Sequence, residues 1–232
     1  DLVFGDRQGD RYNRFYKAFT MPAANKRNVV HAVTNGMGQK EQFAYKYFSG
    51  YNQEAQNPAS PVRNLKAPLM LADTYTDALG SKTTYEYSNP KVHIEGKGFL
   101  GFETVTAVNN TSNVKSVSTF EYDSVYYGVS LKKQQTYAVS SETILSSLET
   151  SNVIKQVGEK RYMPQVKEQT SVDYINDITQ KTKNSYNTEG ALEKQEVITG
   201  GNTVITEYID YKKRNTDGLA AYLPQRIKTT QK

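Results

Sequence analysis

The stretch Thr34-Asn35-Gly36-Met37-Gly38-Gln39-Lys40-Glu41-Gln42-Phe43-Ala44-Tyr45 returns downstream as Thr76-Asp77-Ala78-Leu79-Gly80-Ser81-Lys82-Thr83-Thr84-Tyr85-Glu86-Tyr87. Each copy opens with an Asx residue, Asn35 or Asp77, whose short side chain can bond its own backbone two residues on. Gly36 and Gly38 in one copy, and Gly80 in the other, add the freedom for a tight reversal. The aromatic-x-Tyr that follows puts two rings on one face of a period-two strand. A repeated turn-plus-strand unit commits the chain to hairpins, and it names no reaction.

Alternation of β-branched and aromatic residues continues from end to end, punctuated by Gly, Asn, Asp and Pro. The pattern predicts strands at 28–34, 41–48, 83–87, 91–95, 102–108, 114–122, 130–139, 144–153, 166–174, 177–186, 192–199, 203–211 and 225–230. Gly200-Gly201-Asn202 is the clearest tight turn. Residues 140–148 alone carry a helix signal, with Ser141 as a cap, and fit a strand equally well. Residues 49–68, with Gly50, Pro58, Pro61 and Pro68, read as an extended loop. The expected fold is all-β, an open, elongated antiparallel sheet of successive hairpins, with a β-sandwich as the alternative. It is expected as one region over residues 1–232, with sub-regions 1–108 and 109–232.

Only 37% of the 232 residues are hydrophobic, and 18 Tyr stand against 8 Phe and no Trp. A Tyr ring packs its body while its hydroxyl stays wet, which suits thin, half-exposed sheets. The +5 charge comes from 29 basic residues scattered among 24 acidic ones, in clusters as short as Lys132-Lys133. This fits Lys-protected strand faces and excludes a nucleic-acid stripe. The absence of Cys removes disulfides, thiol nucleophiles and zinc-thiolate sites. No apolar run reaches the roughly 18 residues that a membrane-spanning helix needs. The start, Asp1-Leu2-Val3-Phe4-Gly5, is neither a signal peptide nor an initiator methionine, so the chain reads as a piece of a longer one. Its last strand is expected to be an open edge.

Gly96-Lys97-Gly98-Phe99-Leu100-Gly101 satisfies a GxGxxG pattern. A dinucleotide site needs a helix at the third glycine, and Phe102-Glu103-Thr104-Val105-Thr106 alternates as a strand does. Gly96, Gly98 and Gly101 are therefore expected to bend the backbone, with Phe99, Leu100 and Phe102 plugging the space beneath and Phe99 or Phe102 buried. Of the two histidines, His31 alternates with Val29 and Val33 and is expected on a buried face, while His93 shares a face with Lys91 and Glu95 and is expected in solvent. Asp6 with Asp10, and Glu193 with Glu196, are the carboxylate pairs; neither makes an acid–base couple. No catalytic, cofactor or metal site is expected. An exposed Tyr-rich face leaves a glycan- or protein-binding role as the second reading.

The segment from Lys91 to Val105, carrying Gly96-Lys97-Gly98-Phe99-Leu100-Gly101-Phe102, resembles the G-[RK]-G-F-x-G-F stretch of Rhs/YD-repeat proteins. The same stretch occurs in the B subunits of bacterial insecticidal Tc toxins and in related SpvB-like middle regions. Thr83-Thr84-Tyr85-Glu86-Tyr87 is similar to the family's T-x-Y-x-Y strand, and Thr34 to Gly38 to its T-[ND]-G-x-G hairpin. Tyr186-Asn187-Thr188-Glu189-Gly190-Ala191-Leu192 is similar to one YD repeat, with Asn187 where Asp is usual. The resemblance implies a non-catalytic scaffold: part of a β-sheet shell, secreted or at a bacterial surface. Its partners would be the rest of its own polypeptide and a C-terminal effector that the shell encloses.

Overall fold

The computed structural model describes residues 2–6, 15–19, 29–48, 58–159, 161–216 and 219–232, and among these every regular element is a strand. β1 (Leu2–Asp6) and β2 (Phe15–Phe19) pair as a ribbon of their own. β3 (Ala32–Thr34), β4 (Lys40–Phe48), β5 (Val62–Asn64), β6 (Leu69–Thr76), β7 (Lys82–His93), β8 (Gly98–Asn109) and β9 (Val114–Tyr122) begin the main sheet. It continues through β10 (Val129–Ala138), β11 (Ile144–Gly158), β12 (Arg161–Asp173), β13 (Ile178–Tyr186), β14 (Leu192–Thr199) and β15 (Asn202–Ile209). β16 (Lys212–Thr216) and β17 (Leu219–Leu223) form a second ribbon, and β18 (Arg226–Gln231) returns to pair with β15.

The main sheet has 14 strands in the order β18-β15-β14-β13-β12-β11-β10-β9-β8-β7-β6-β4-β3, with β5 added beside β7. Every pairing is antiparallel, and nearly all join sequence neighbours, so it is an open meander with β18 at one edge and β3 at the other. Successive turns alternate between two rims. The upper rim carries the turns at 35–39, 77–81, 110–113, 139–143, 174–177 and 200–201; the lower rim carries those at 94–97, 123–128 and 187–191 and the end of β11 at Glu159.

The sheet is a single layer. Only Val62, Pro90, His93, Leu100, Gln165 and Gly190 are buried among the described residues, and all six lie toward the lower rim. Along most strands both faces are half-exposed, so the strands are held by ladder hydrogen bonds and cross-strand pairs rather than by a second layer. Lys133 sits opposite Glu149 with its amine 2.8 Å from the carboxylate, and Lys181 reaches Glu168 at 2.7 Å.

One seam is narrow. β6 meets β7 only over Thr74–Thr76 and Lys82–Thr84, whereas β7 and β8 share ten registered pairs. Lys46 of β4 spans this seam, donating from Nζ to the Tyr85 carbonyl at 2.6 Å and pairing with Asp73 at 2.9 Å.

Several strands differ from expectation. The presumed loop 49–68 contains β5, and residues 69–76, which carry no expected strand, form β6. β7 runs unbroken through Pro90, which the sequence reading treats as a gap. Pro90 still gives its carbonyl to the ladder, accepting from the Leu65 amide at 2.8 Å just past the end of β5. Residues 140–143 turn, and a strand rather than a helix follows from Ile144.

Candidate functional site

The two repeated turns share one hydrogen-bond scheme. The Asn35 Oδ1 accepts from the amides of Met37 and Gln39, each at 3.0 Å; the Asp77 Oδ1 accepts from Leu79 at 2.9 Å and Ser81 at 2.8 Å. The amides of Gly38 and Gly80 return to the carbonyls of Asn35 and Asp77, and both glycines have positive φ, 80° and 84°. Gly36 is not in that region. Asn187 to Ala191 closes in the same way, with Gly190 at φ 87°, but on the opposite rim. The side chains of Met37 and Leu79 are 83% and 90% exposed, so the turns are held by Asx and Gly and not by their apolar tips.

The lower rim holds what packing the sheet has. Gly96 (φ 108°) lies in the β7–β8 turn, Gly98 (φ 75°) opens β8, and Gly101 (φ 91°) follows a bulge. There Lys91 faces Gly101 and Val92 faces Phe99, leaving Leu100 as the extra residue. The bulge turns Leu100 inward, 7% exposed, and turns Phe99 out to 50%. Of the three residues expected to plug this space Leu100 does so, and the expectation that Phe99 or Phe102 is the buried ring is corrected. Phe102 is half-buried, with ring centroids of Tyr87, Phe99 and Phe48 at 4.9, 5.4 and 5.8 Å.

β5 closes this place from the side, with Val62 opposite His93 and 1% exposed. His93 is 6% exposed, contrary to the expectation of solvent; its Nδ1 accepts from the amides of Glu95 at 3.2 Å and Lys97 at 3.5 Å. It thus serves its turn as Asn and Asp serve the others, and its ring lies 4.2 Å from that of Tyr127. His31, expected buried, is exposed just before the edge strand β3. Alternation assigns residues to faces, but the long-range neighbours Val62 and Tyr127 decide that His93 is inside. Lys91, beside His93, is covered as well, bonding Asn64 at 2.7 Å and Glu103 at 3.6 Å.

A second packed point lies where β11 and β12 overshoot their neighbours, as Asn152–Gly158 pairs with Arg161–Val166 below the reach of β10. The 187–191 turn folds against this ribbon, and Lys155 donates to the Asn187 carbonyl at 3.2 Å. A Cβ on Gly190 would stand 2.7 Å from Met163 Sδ and 2.9 Å from Val157 Cγ1. Gln165 is 1% exposed, and neither atom of its amide has a hydrogen-bond partner among the described residues.

Loops of three hairpins also converge. Tyr126 packs on Tyr162 with centroids 4.5 Å apart, and Lys97 Nζ stands 5.9 Å from the Tyr162 centroid. Among the described residues no three His, Cys, Asp or Glu side chains gather as metal ligands do, and His31 and His93 belong to different parts of the sheet. The arrangement is that of a single-layer sheet packed along one rim. The neighbouring strand β5 and the ribbon around Gln165 had no local signal in the sequence.

Residues 1–134 match the family model described as the insecticide toxin TcdB middle/N-terminal region. No curated protein matches the chain. Among solved structures, the chain is similar to the crystal structure of TcdB2-TccC3, with a TM-score of 0.57 and 11% identity over 83% of this chain. The structure of TcdB2-TccC3-Cdc42 gives the same score and identity. That of TcdB2-TccC3 without its hypervariable C-terminal region gives 0.57 at 12%. At these identities the likeness is one of fold, and the chain spans only 15% of the first and 14% of the other two.

Proposed function

The chain belongs to the insecticide toxin TcdB middle/N-terminal region family, and on that premise we propose that it is a non-catalytic wall segment of a large exported bacterial protein. Its sheet continues into the remainder of a YD-repeat shell, and the shell encloses or presents a C-terminal effector. The observation that carries this reading is the single layer: 14 strands with packing confined to one rim. A sheet with two half-exposed faces and open edges has little core of its own, so its stability depends on neighbours along the edges and across a face. The fold-level likeness to TcdB2-TccC3 over 83% of the chain supports the same reading.

Electron cryomicroscopy of the full polypeptide tests it. The expected map shows the β18 edge hydrogen-bonded to a further strand and one sheet face turned toward an enclosed volume. A map in which the chain stands as a separate domain on linkers, with both edges bare, would overturn the proposal.

A further inference from the structure

We propose that the cleft between the 94–97 turn, the 123–128 turn and the start of β12 binds a neutral carbohydrate of one or two rings. The proposal does not depend on the scaffold reading. The cleft has a volume of about 410 Å³, within the range of small-ligand sites. Its apolar wall is built by Tyr126 and Tyr162, tilted 39° to one another, with Pro164 beside them. The Tyr162 side chain is 45% exposed although it stands in the best-packed region of the sheet. Such a ring presents a face that the C–H side of a pyranose can cover.

The polar groups around that wall are suited to hydroxyls. The Lys97 amine is near the Tyr162 face at 5.9 Å, an exposed cation–π contact weak enough to yield its place to a sugar while remaining within donor reach. Asn152 commits its amide nitrogen to the Leu131 carbonyl at 2.8 Å, which directs its oxygen to the acceptor role. Glu121 holds Lys132 only in an exposed pair at 3.5 Å, so its carboxylate can share a second donor. Glu121 and Asp123 outnumber Lys97 in the cleft, which disfavours phosphates and other anions. The polar rim disfavours an acyl chain. Donors and acceptors around a tyrosine wall leave a neutral sugar as the best-matched class.

The test uses the full polypeptide that carries this segment and saturation-transfer NMR with chitobiose, cellobiose and methyl mannoside at millimolar concentrations. At least one sugar should receive transfer, and Tyr162→Ala should weaken its binding about tenfold. Tyr174→Ala, which removes an exposed tyrosine on the upper rim, should leave it unchanged. Because Tyr162→Ala removes a ring contact, Tyr162→Phe and Lys97→Ala are measured with it. Phe should retain binding, and loss of the amine should weaken it severalfold. No transfer to any of the three sugars overturns the proposal, as does binding indifferent to both Tyr162→Ala and Lys97→Ala. A proline-rich peptide that shifts Tyr126 and Tyr162 resonances where the sugars do not would assign the cleft to a protein partner and overturn it equally.

Discussion

Replacing Gly190 with alanine separates two costs that usually arrive together. The residue has φ 87°, and an L side chain in the left-handed region costs about 1–2 kcal/mol. The new Cβ would also meet Met163 Sδ at 2.7 Å and Val157 Cγ1 at 2.9 Å. Methionine can swing aside, but a β-branched valine in a strand has little rotamer freedom, so overpacking adds about 1–3 kcal/mol. Gly80→Ala is the control, with φ 84° and nothing within 4 Å of its Cβ. Gly190→Ala should therefore lose about 2–5 kcal/mol and Gly80→Ala about 1–2 kcal/mol. Urea unfolding followed by far-ultraviolet circular dichroism gives the global value. Hydrogen exchange at the Gly190 and Ala191 amides, which bond the Asn187 carbonyl and Oδ1, gives the local one should the sheet unfold in parts. Val157→Ala in the Gly190→Ala background should recover part of the loss. Equal losses for the two glycines, or no recovery, would refute the claim that the turn is packed on the ribbon.

Leu100→Ala should cost about 2–5 kcal/mol and Phe99→Ala distinctly less, because the bulge buries the first and exposes the second; equal urea midpoints for the two variants would contradict the bulge assignment. Removing the turn acceptor in Asn35→Ala or Asp77→Ala should cost about 1–3 kcal/mol while Asp77→Asn costs little, read from the same midpoints, since both amides at each turn lose their partner only in the alanine variants. The hydrogen bond from Lys46 holds the Asp73 carboxyl below its ordinary range, so its contribution is present above the unfolded value of about 3.9 and is lost as pH falls through the lower folded value. Asp73→Asn should flatten that acid limb, and an unchanged acid profile would show the pair to be idle. The Glu149 carboxylate raises Lys133, whose contribution is present below about 10.4 and is lost as pH rises through the folded value; Glu149→Gln should remove that alkaline limb from the stability–pH curve.

Much of the fold was legible because strands of a hairpin meander are specified locally. β9 and β14 begin and end where alternation predicted, and the Asx-x-x-Gly turns at Asn35 and Asp77 carry their reversal in five consecutive residues. What escaped was set by distant chain. β5 is three residues long, stands among prolines, and exists because it pairs with Lys91–His93. Val62 opposite and the Tyr127 ring enclose the His93 that was expected in solvent, and the bulge one strand over buries Leu100 and turns Phe99 out. β7 passes through Pro90, whose carbonyl accepts from the distant Leu65 amide. The Tyr126–Tyr162 cleft joins hairpins that no local pattern connects.

The β6–β7 seam has a mechanical meaning. A sheet this thin bears load through its rungs, and three rungs against ten make this line a weak one inside the sheet, next to one of the strongest. The strip of β3, β4 and β6 beyond it is a flap, and the Lys46 amine, fastened to the Tyr85 carbonyl and to Asp73, is its latch. Without that side chain, three rungs and the Phe48–Phe102 contact are left to hold the line as a crease. The crease runs parallel to the strands, the direction along which a sheet can fold without breaking the ladders on either side.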